Sequence, residues 1–203
     1  MTRLVIFDLD GTLLDTLSDL ALAASLALQH RGLPEHPEEA YKQFVGNGVF
    51  KLVERMTPEP CRTAETLAVI KSDFDAYYAV HNQDRTKPYD GVIELLDALH
   101  TRGTACAVLS NKPHEFTKSL CSQYFGERIH VAFGNRKGYP HKPAKKLVDE
   151  ILEMTGVPAE NCVYVGDSGV DMQTAKNAGV FAVGALWGFR SREELEENGA
   201  DSL

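Results

Sequence analysis

The chain has 203 residues, a formal net charge of −8 and 43% hydrophobic residues. This combination is typical of one large globular domain, or of a domain with an insert. The negative charge and the lack of a long Lys/Arg cluster argue against nucleic acid as a partner. No apolar stretch approaches the roughly 20 residues of a membrane-spanning helix, and the N-terminus is a poor signal peptide, so we expect a cytoplasmic protein without a membrane partner.

Short apolar runs rich in β-branched residues predict five strands. In chain order these are Leu4–Phe7, Thr104–Leu109, His130–Phe133, Cys162–Val165 and Val180–Ala185. Segments with helical spacing separate the later runs, and each run is almost continuously apolar, as in parallel strands covered by helices on both faces. The sequence therefore predicts an α/β fold, a Rossmann-like parallel sheet with helices on both faces.

Residues 17–87 interrupt this alternation, because they predict consecutive helices and no strand. On the first of these helices Leu17, Leu20, Ala24 and Leu28 share one face. We therefore expect two domains: a catalytic core formed by residues 1–16 and 88–203, and a small all-helical domain, residues 17–87, inserted after the first strand.

The first strand ends in two carboxylates, Asp8 and Asp10, followed by Gly11 and Thr12. Alternation along a strand directs both carboxylates to the same side at the carboxyl end, where ligands bind in open α/β sheets. Their repulsion would be relieved by a hard cation such as Mg²⁺, with Thr12 orienting Asp10 or donating to an anion. The alternative is that Asp10 caps the next helix and Asp8 is a solvated strand end.

A second polar group follows the next apolar strand, in "AVLSNKP". Ser110 and Asn111 are expected just beyond the strand, with Pro113 in the first turn of the following helix. A hydroxyl and backbone N–H groups there suit a phosphate oxygen. An ordinary helix N-cap is the alternative.

A lysine on a loop is the third candidate, in "YPHKPAKKL". Lys142 precedes Pro143, which biases Lys142 toward an extended conformation outside a helix that Pro143 would start. Its ammonium could reach a phosphate or Asp8, although Lys137, Lys145 and Lys146 lie nearby.

The fourth candidate group is "GDSGVD", after the strand Cys162–Val165. Asp167 lies at the strand end and Asp171 four residues later in the first helical turn, so both could serve a metal ion. Helix capping explains either acid singly. Because the carboxyl ends of parallel strands converge, the four groups together predict a Mg²⁺-dependent phosphoryl-transfer site.

These motifs resemble those of a known family. "DLDGT", "LSN", the Lys142-Pro143 pair and "GDSGVD" are similar, in order, to the four motifs of the haloacid dehalogenase-like phosphohydrolases. The helical insert resembles that family's type 1 cap domain, in the phosphoglycolate phosphatase and β-phosphoglucomutase-like subgroup. In that subgroup a second proline often stands where this chain has Lys145, which makes the substrate less certain than the chemistry.

The resemblance implies a role for each motif residue. Asp8 would be the nucleophile that forms an aspartyl-phosphate, and Asp10 the general acid and then the base. Asp8, the backbone carbonyl of Asp10, and Asp167 would bind Mg²⁺, with Asp171 in support. The phosphoryl group would be held by Ser110 and Lys142, with Thr12 and Asn111 as further substrate-binding candidates.

In the insert, "FVGNGVFKLVER" resembles the glycine-containing specificity loop of the phosphoglycolate phosphatase type. Gly46 and Gly48 would let the backbone approach a small substrate, and Lys51 or Arg55 could meet its carboxylate. The alternative is a flexible turn followed by solvated helix charges.

The resemblance implies a phosphatase of small phosphomonoesters, with 2-phosphoglycolate as a candidate substrate. An acid at Asp10 disfavours dehalogenation. A phosphomutase of the β-phosphoglucomutase type and a non-enzymatic phosphate-binding module are the alternatives. We expect a monomer or a weak dimer.

Overall fold

The structure is a computed structural model that describes residues 2–203. Its main element is a five-stranded sheet in which all observed pairings are parallel. The strands of this sheet are β1 (Leu4–Phe7), β4 (Ala105–Pro113), β5 (Val131–Asn135), β6 (Cys162–Gly166) and β7 (Phe181–Gly184), in the spatial order β5-β4-β1-β6-β7. Two short strands, β2 (Leu14–Asp15) and β3 (Lys87–Pro88), form a separate two-stranded sheet. The predicted parallel α/β fold is confirmed.

Strand β1 occupies the centre of the main sheet, where it pairs with β4 and β6. Its residues alternate between two cores: Leu4 and Ile6 pack on one face of the sheet, Val5 and Phe7 on the other. Because both faces are buried, the strand sequence is apolar throughout, which explains why it was recognisable as a central parallel strand.

Nine α-helices surround the sheet or form the insert in residues 2–203. They are α1 (Leu17–Gln29), α2 (Glu38–Phe44), α3 (Val49–Met56), α4 (Ala64–His81), α5 (Val92–Thr101), α6 (His114–Phe125), α7 (Lys146–Thr155), α8 (Gly169–Ala178) and α9 (Arg192–Glu197). Apolar residues of α5 and α6 join the core that contains Phe7. Those of α7, α8 and α9 join the core that contains Ile6. No helix among the described residues is long and apolar enough to cross a membrane.

The chain forms two compact units, with divisions after residues 14 and 87. The first contains the residues up to Leu14 together with Pro88–Leu203, and the second is Asp15–Lys87. The first division falls within β2, between Leu14 and Asp15, two residues before the boundary we expected from the sequence.

The second unit is all-helical apart from its terminal strand residues. Leu20, Ala24 and Leu28 of α1 are buried, as their spacing predicts. Asp19 is also buried, and it accepts hydrogen bonds from the backbone N–H groups of Arg85 and Thr86 and from the Thr86 hydroxyl, at 2.8–3.1 Å. This carboxylate therefore fastens the end of the unit to the start of its first helix.

The boundaries of β4, α6 and α7 differ from the sequence-based expectation. Strand β4 continues to Pro113, with a register shift between Leu109 and Pro113, so Ser110 and Asn111 lie within the strand. Pro113 precedes α6 and is not in its first turn. Helix α7 begins at Lys146 rather than at Pro143, because residues 141–144 form a turn in which the Ala144 N–H donates to the His141 carbonyl.

Candidate active site

The carboxyl ends of β1, β4 and β6 bring the predicted chemical groups together at one edge of the sheet. Asp8 follows β1 directly, and its N–H continues the sheet by donating to the Val165 carbonyl at 2.9 Å. Ser110 and Asn111 lie near the end of β4, while Asp167 follows β6 and Asp171 lies in the first turn of α8. This convergence is the property of a parallel sheet on which the sequence-based prediction rested.

Gly11 lets the chain turn sharply after Asp10. Its φ of +84° is one that L side chains rarely adopt, and a Cβ there would lie 2.3 Å from Oδ2 of Asp167. Glycine is therefore required for both the turn and the close approach of the β1 loop to the loop after β6.

Three buried carboxylates form an acidic cluster: Asp8, Asp167 and Asp171. One oxygen from each lies within 4.8 Å of the others. Burial raises the pKa of Asp8 to about 7, opposed by the Lys142 charge. The pKa of Asp167 rises to about 8, first through burial and then through the charges of Asp171 and Asp8. The cluster therefore resists holding all its negative charge without a cation.

Lys142 supplies part of that positive charge from within the protein. Its buried ammonium lies 2.7 Å from Oδ1 of Asp171 and 2.9 Å from Oδ1 of Asp8. The ammonium donates a hydrogen bond to Asp171, and its contact with Asp8 is an ion pair. Among residues 2–203, Oδ1 of Asp8 is thus a buried oxygen without a hydrogen-bond donor.

Asp171 is bonded through both of its oxygens to neighbouring side chains and backbone. Oδ1 accepts from Lys142 and from the Tyr164 hydroxyl, and Oδ2 accepts from the N–H and hydroxyl of Ser168. Ser168 and Asp171 also form a capping box at the start of α8. Asp171 is thus both a helix-capping acid and the carboxylate that holds Lys142.

Asp10 pairs with a lysine that was not among the predicted site residues. The Lys112 ammonium lies 3.0 Å from Oδ1 of Asp10, and the Lys112 side chain is only 3% exposed. The side chain of Asp10 is not part of the acidic cluster.

The charge balance of the site favours a divalent cation. When all four carboxylates (Asp8, Asp10, Asp167 and Asp171) are ionised, the two buried lysines (Lys112 and Lys142) leave two negative charges uncompensated. The acidic cluster offers only oxygen atoms, including Oδ1 of Asp8, which has no hydrogen-bond donor. A hard divalent cation such as Mg²⁺ therefore fits these residues in both charge and ligand type.

Thr12 and Asn111 contact protein groups that position the site. The Thr12 hydroxyl donates to Oδ1 of Asp167 at 3.2 Å and thereby orients Asp167. The sequence suggested that Thr12 orients Asp10 or donates to an anion, and donation to an anion stays a prediction. The Asn111 carboxamide accepts from the Lys142 N–H at 2.9 Å, and its amide group lies 3.5 Å from the Lys142 carbonyl. Asn111 thereby fixes the backbone that carries Lys142. The buried Ser110 hydroxyl accepts from the Lys112 N–H at 3.3 Å.

The loop after β7 closes the site from another side. The Trp187 indole donates to the Thr12 carbonyl at 3.0 Å, and the Phe189 N–H donates to Oδ2 of Asp167 at 2.7 Å. A Cβ at Gly188 would lie 2.2 Å from Cβ of Asp167 and 2.5 Å from the Gly11 carbonyl. The loop can therefore reach Asp167 only with glycine at position 188.

Comparison with known proteins agrees with this arrangement. The family model described as haloacid dehalogenase-like hydrolase matches residues 5–185. The chain belongs to the haloacid dehalogenase-like hydrolases. Proteins of this family named phosphoglycolate phosphatase are similar over nearly the whole chain: the one from Vibrio parahaemolyticus is 33% identical over 98% of this chain and 90% of its own length. The corresponding protein from Pseudomonas fluorescens is 34% identical over 97% of this chain and 74% of its own length.

A solved structure extends the similarity to three dimensions. The crystal structure of a candidate phosphoglycolate phosphatase from Lactobacillus delbrueckii subsp. bulgaricus superposes with a TM-score of 0.94 and 33% identity, covering 100% of this chain and 95% of that chain. This chain is thus an enzyme of the phosphatase branch of the family, with a cap of helices inserted after the first strand.

The glycine loop of the cap belongs to the helical unit. Gly46 and Gly48 have φ values of +111° and +86°. Lys51 pairs with Glu54 on the surface of α3, while Arg55 donates to the carbonyls of Gln43 and Phe44 and to Oδ1 of Asn47. Arg55 thus holds the loop together from inside the unit. Contact of Gly46 or Lys51 with substrate stays a prediction.

Sequence analysis missed several residues of this haloacid dehalogenase-like site. Tyr164 and Ser168 hold Asp171, and Trp187 and Phe189 contact the loops that carry the acids. Lys112 was the omission with the clearest signal, because it is a charge near the end of an apolar strand, two residues after Ser110. Ser168 also carries a local signal, because Ser168 and Asp171 have the spacing of a capping box. Tyr164, Trp187 and Phe189 carry no such signal, because their contacts depend on tertiary packing.

Proposed function

We propose that this enzyme is a Mg²⁺-dependent phosphatase that hydrolyses small phosphomonoesters through an aspartyl-phosphate on Asp8. The supporting observation is Oδ1 of Asp8, a buried carboxylate oxygen without a hydrogen-bond donor in the described chain, 2.9 Å from the Lys142 ammonium. An oxygen in this state is available to attack phosphorus or to bind a cation. The names of the relatives from Vibrio parahaemolyticus and Pseudomonas fluorescens favour 2-phosphoglycolate as the substrate.

The first step would transfer the phosphoryl group to the protein. A carboxylate oxygen of Asp8 attacks phosphorus while the bond between phosphorus and the leaving oxygen breaks. Asp10 donates a proton to that leaving oxygen, so the product departs as an alcohol and not as an alkoxide. At the end of this step Asp8 is an acyl phosphate and Asp10 is a carboxylate.

The second step would release phosphate and restore both acids. Asp10 accepts a proton from a water molecule as its oxygen attacks phosphorus, and the bond between phosphorus and the Asp8 oxygen breaks. The products are inorganic phosphate and the free Asp8 carboxylate. Asp10 is protonated again, so the cycle closes without any other proton donor.

The residues that would hold Mg²⁺ are Asp8, Asp167 and the backbone carbonyl of Asp10. When bound, the ion would offset negative charge on the transferring phosphoryl oxygens. Asp171 would act in support, because its oxygens already accept from Lys142, Tyr164 and Ser168. Its contribution is then to keep the Lys142 ammonium beside Asp8.

The phosphoryl group would be bound by Lys142 and Ser110. The Lys142 ammonium lies beside the nucleophile, where it can neutralise charge that develops on the phosphoryl oxygens. The buried Ser110 hydroxyl lies at the end of the neighbouring strand and can donate to one of them. Asn111 keeps Lys142 in place through its bonds to the Lys142 backbone.

Phosphate release from a panel of phosphomonoesters tests this proposal. The panel contains 2-phosphoglycolate and several hexose phosphates, each assayed with Mg²⁺ and with EDTA. We expect release that depends on Mg²⁺ and is fastest with 2-phosphoglycolate. Broad release would support the mechanism and contradict the substrate preference. Turnover that requires a bisphosphate primer would indicate a phosphomutase, and no release by folded, Mg²⁺-loaded protein would contradict the proposal.

A further inference from the structure

We propose that Lys112 is a positioning residue that holds Asp10 in the orientation needed for proton transfer to the leaving group. This inference rests on the proposed function, because it assigns a role to the group that fixes the general acid. The ion pair between the Lys112 ammonium and Oδ1 of Asp10 is the observation that suggests it.

The two buried lysines of the site pair with different acids. Lys142 is placed between Asp8 and Asp171, the carboxylates of the acidic cluster. Lys112 pairs with Asp10, whose side chain lies outside that cluster. The nucleophile and the proton-transfer group therefore have separate cationic partners.

The backbone of Lys112 is fixed on several sides. Its N–H donates to the Ser110 hydroxyl at 3.3 Å, and its carbonyl accepts from the Thr117 hydroxyl at 3.4 Å. Gly134 of β5 packs so closely that a Cβ there would lie 2.5 Å from the Lys112 carbonyl and 2.4 Å from Oγ1 of Thr117. The Lys112 ammonium therefore extends from a fixed backbone, unlike the ammonium of a solvated lysine.

A buried lysine also has an energetic reason to keep its carboxylate partner. Moving an ammonium out of water is unfavourable unless an opposite charge and hydrogen bonds compensate for the lost hydration. The side chains of Lys112 and Asp10 are 3% and 11% exposed, so little water reaches the ammonium. Rotation of Asp10 away from Lys112 would separate the two charges, so the ion pair disfavours other orientations of Asp10.

The orientation suits the chemistry because the Lys112 ammonium contacts Asp10 through Oδ1. A carboxyl oxygen accepts a hydrogen bond from an ammonium whether or not the other oxygen carries a proton. Lys112 can therefore hold Asp10 through both steps of the reaction, while Oδ2 donates and then accepts the transferred proton.

The test exploits the dependence of general-acid catalysis on the leaving group. The 2-phosphoglycolate leaving group is a basic alkoxide that needs a proton, whereas the p-nitrophenolate of p-nitrophenyl phosphate leaves without one. The parameter to measure is kcat/KM, because it reports on steps up to transfer of the phosphoryl group. The variants are Lys112→Met, Asp10→Asn and their combination, with the exposed Lys118→Met as the matched control.

General-acid catalysis contributes roughly 10²–10⁴-fold. We therefore expect Lys112→Met to lower kcat/KM for 2-phosphoglycolate by about 100-fold, and that for p-nitrophenyl phosphate by less than about 10-fold. Asp10→Asn should shift the ratio of the two values at least as far, and adding Lys112→Met to it should change the ratio no further. Lys118→Met should leave both values unchanged.

Other outcomes distinguish failure of the positioning role of Lys112 from failure of the proposed role of Asp10. Equal losses with both substrates in Lys112→Met, or a rise in KM alone, would overturn the positioning role and indicate a structural or substrate-binding lysine. If Asp10→Asn leaves the ratio unchanged, the proposed role of Asp10 fails instead, and with it the role of Lys112.

If Lys112→Met folds poorly, the proposal can be tested by a measurement that does not depend on catalytic activity. Melting temperatures of the single and double variants report whether the two side chains interact. We expect the double variant to melt higher than the sum of the two single losses predicts, because it removes both charges together. Strictly additive losses would overturn the proposal.

Discussion

Asp167→Asn tests the view that the acidic cluster is under electrostatic strain without a metal ion. The substitution removes one negative charge and keeps the size of the side chain. Its carboxamide oxygen can still accept from the Phe189 N–H, and its amide group can donate to the Thr12 hydroxyl. Asn should therefore fit the site, so that the change in stability reports mainly on charge.

The expected gain in stability follows from the pKa of Asp167, which is raised from 3.8 to about 8, chiefly by burial. Because the folded state binds this proton more tightly than the unfolded state, stability falls as the pH rises from about 4 to about 8. At 1.36 kcal/mol per unit, a shift of roughly four units sets an upper limit of about 6 kcal/mol. Solvent access and the loss of a charge-assisted hydrogen bond reduce this, so we expect a net gain of about 2–3 kcal/mol above pH 8.

Thermal unfolding in EDTA between pH 5 and pH 9 measures the effect, with the exposed Asp90→Asn as control. For a chain of this size, the gain corresponds to a melting temperature roughly 5–10 °C above that of the wild type at high pH. The difference should shrink toward pH 5. With saturating Mg²⁺ the order should reverse, because the wild type alone retains the full ligand set. A variant that melts at or below the wild type throughout, in EDTA, would refute the charge argument.

Further predictions concern Lys142, Gly188 and Trp187. Lys142→Met leaves Asp8 and Asp171 without their ammonium, so the free energy of unfolding in EDTA at pH 8 should fall by about 3–5 kcal/mol. Chemical denaturation measures this free energy. A loss below about 1 kcal/mol would contradict the ion-pair geometry. Gly188→Ala places a Cβ against Asp167, so calorimetric titration should show at least tenfold weaker Mg²⁺ binding. Unchanged Mg²⁺ affinity would argue against the close contact between Gly188 and Asp167. Trp187 is the only tryptophan and contacts the Thr12 carbonyl. Its fluorescence should therefore change when Mg²⁺ is added to the wild type but not when Mg²⁺ is added to Asp167→Asn. Identical fluorescence changes in the two proteins would place Mg²⁺ elsewhere.

The fold was predictable because the continuous apolar sequence of each central strand indicates that both of its faces are buried. An apolar run such as Leu4–Phe7 is buried on both faces, and parallel strands place their carboxyl ends at one edge. The acids follow from that geometry, since each lies close to such an end, whereas Lys142 lies on the loop between β5 and α7. The end of β4 did not follow, because its last residues are polar and their strand pairing depends on β5.

The detailed partners of the site residues were less predictable. Thr12 could have bonded to Asp10 or to an anion by sequence alone, and the structure shows that it donates to Asp167. Trp187 and Gly188 lie about 20 residues beyond Asp167 in the chain. The packing of the loop after β7 brings Trp187 to the Thr12 carbonyl and Gly188 to Asp167. Such contacts are set by tertiary structure, which local periodicity does not encode.

Covalent transfer to Asp8 is the central claim, and trapping the intermediate tests it most directly. Enzyme mixed with 2-phosphoglycolate and Mg²⁺ is quenched in acid, and its intact mass is compared with that of Asp8→Asn treated in the same way. We predict one added phosphoryl group on the wild type, located by peptide mapping on the segment that contains Asp8, and none on the variant. Rapid Mg²⁺-dependent turnover by Asp8→Asn, or a phosphoryl group on a different residue, would contradict the account.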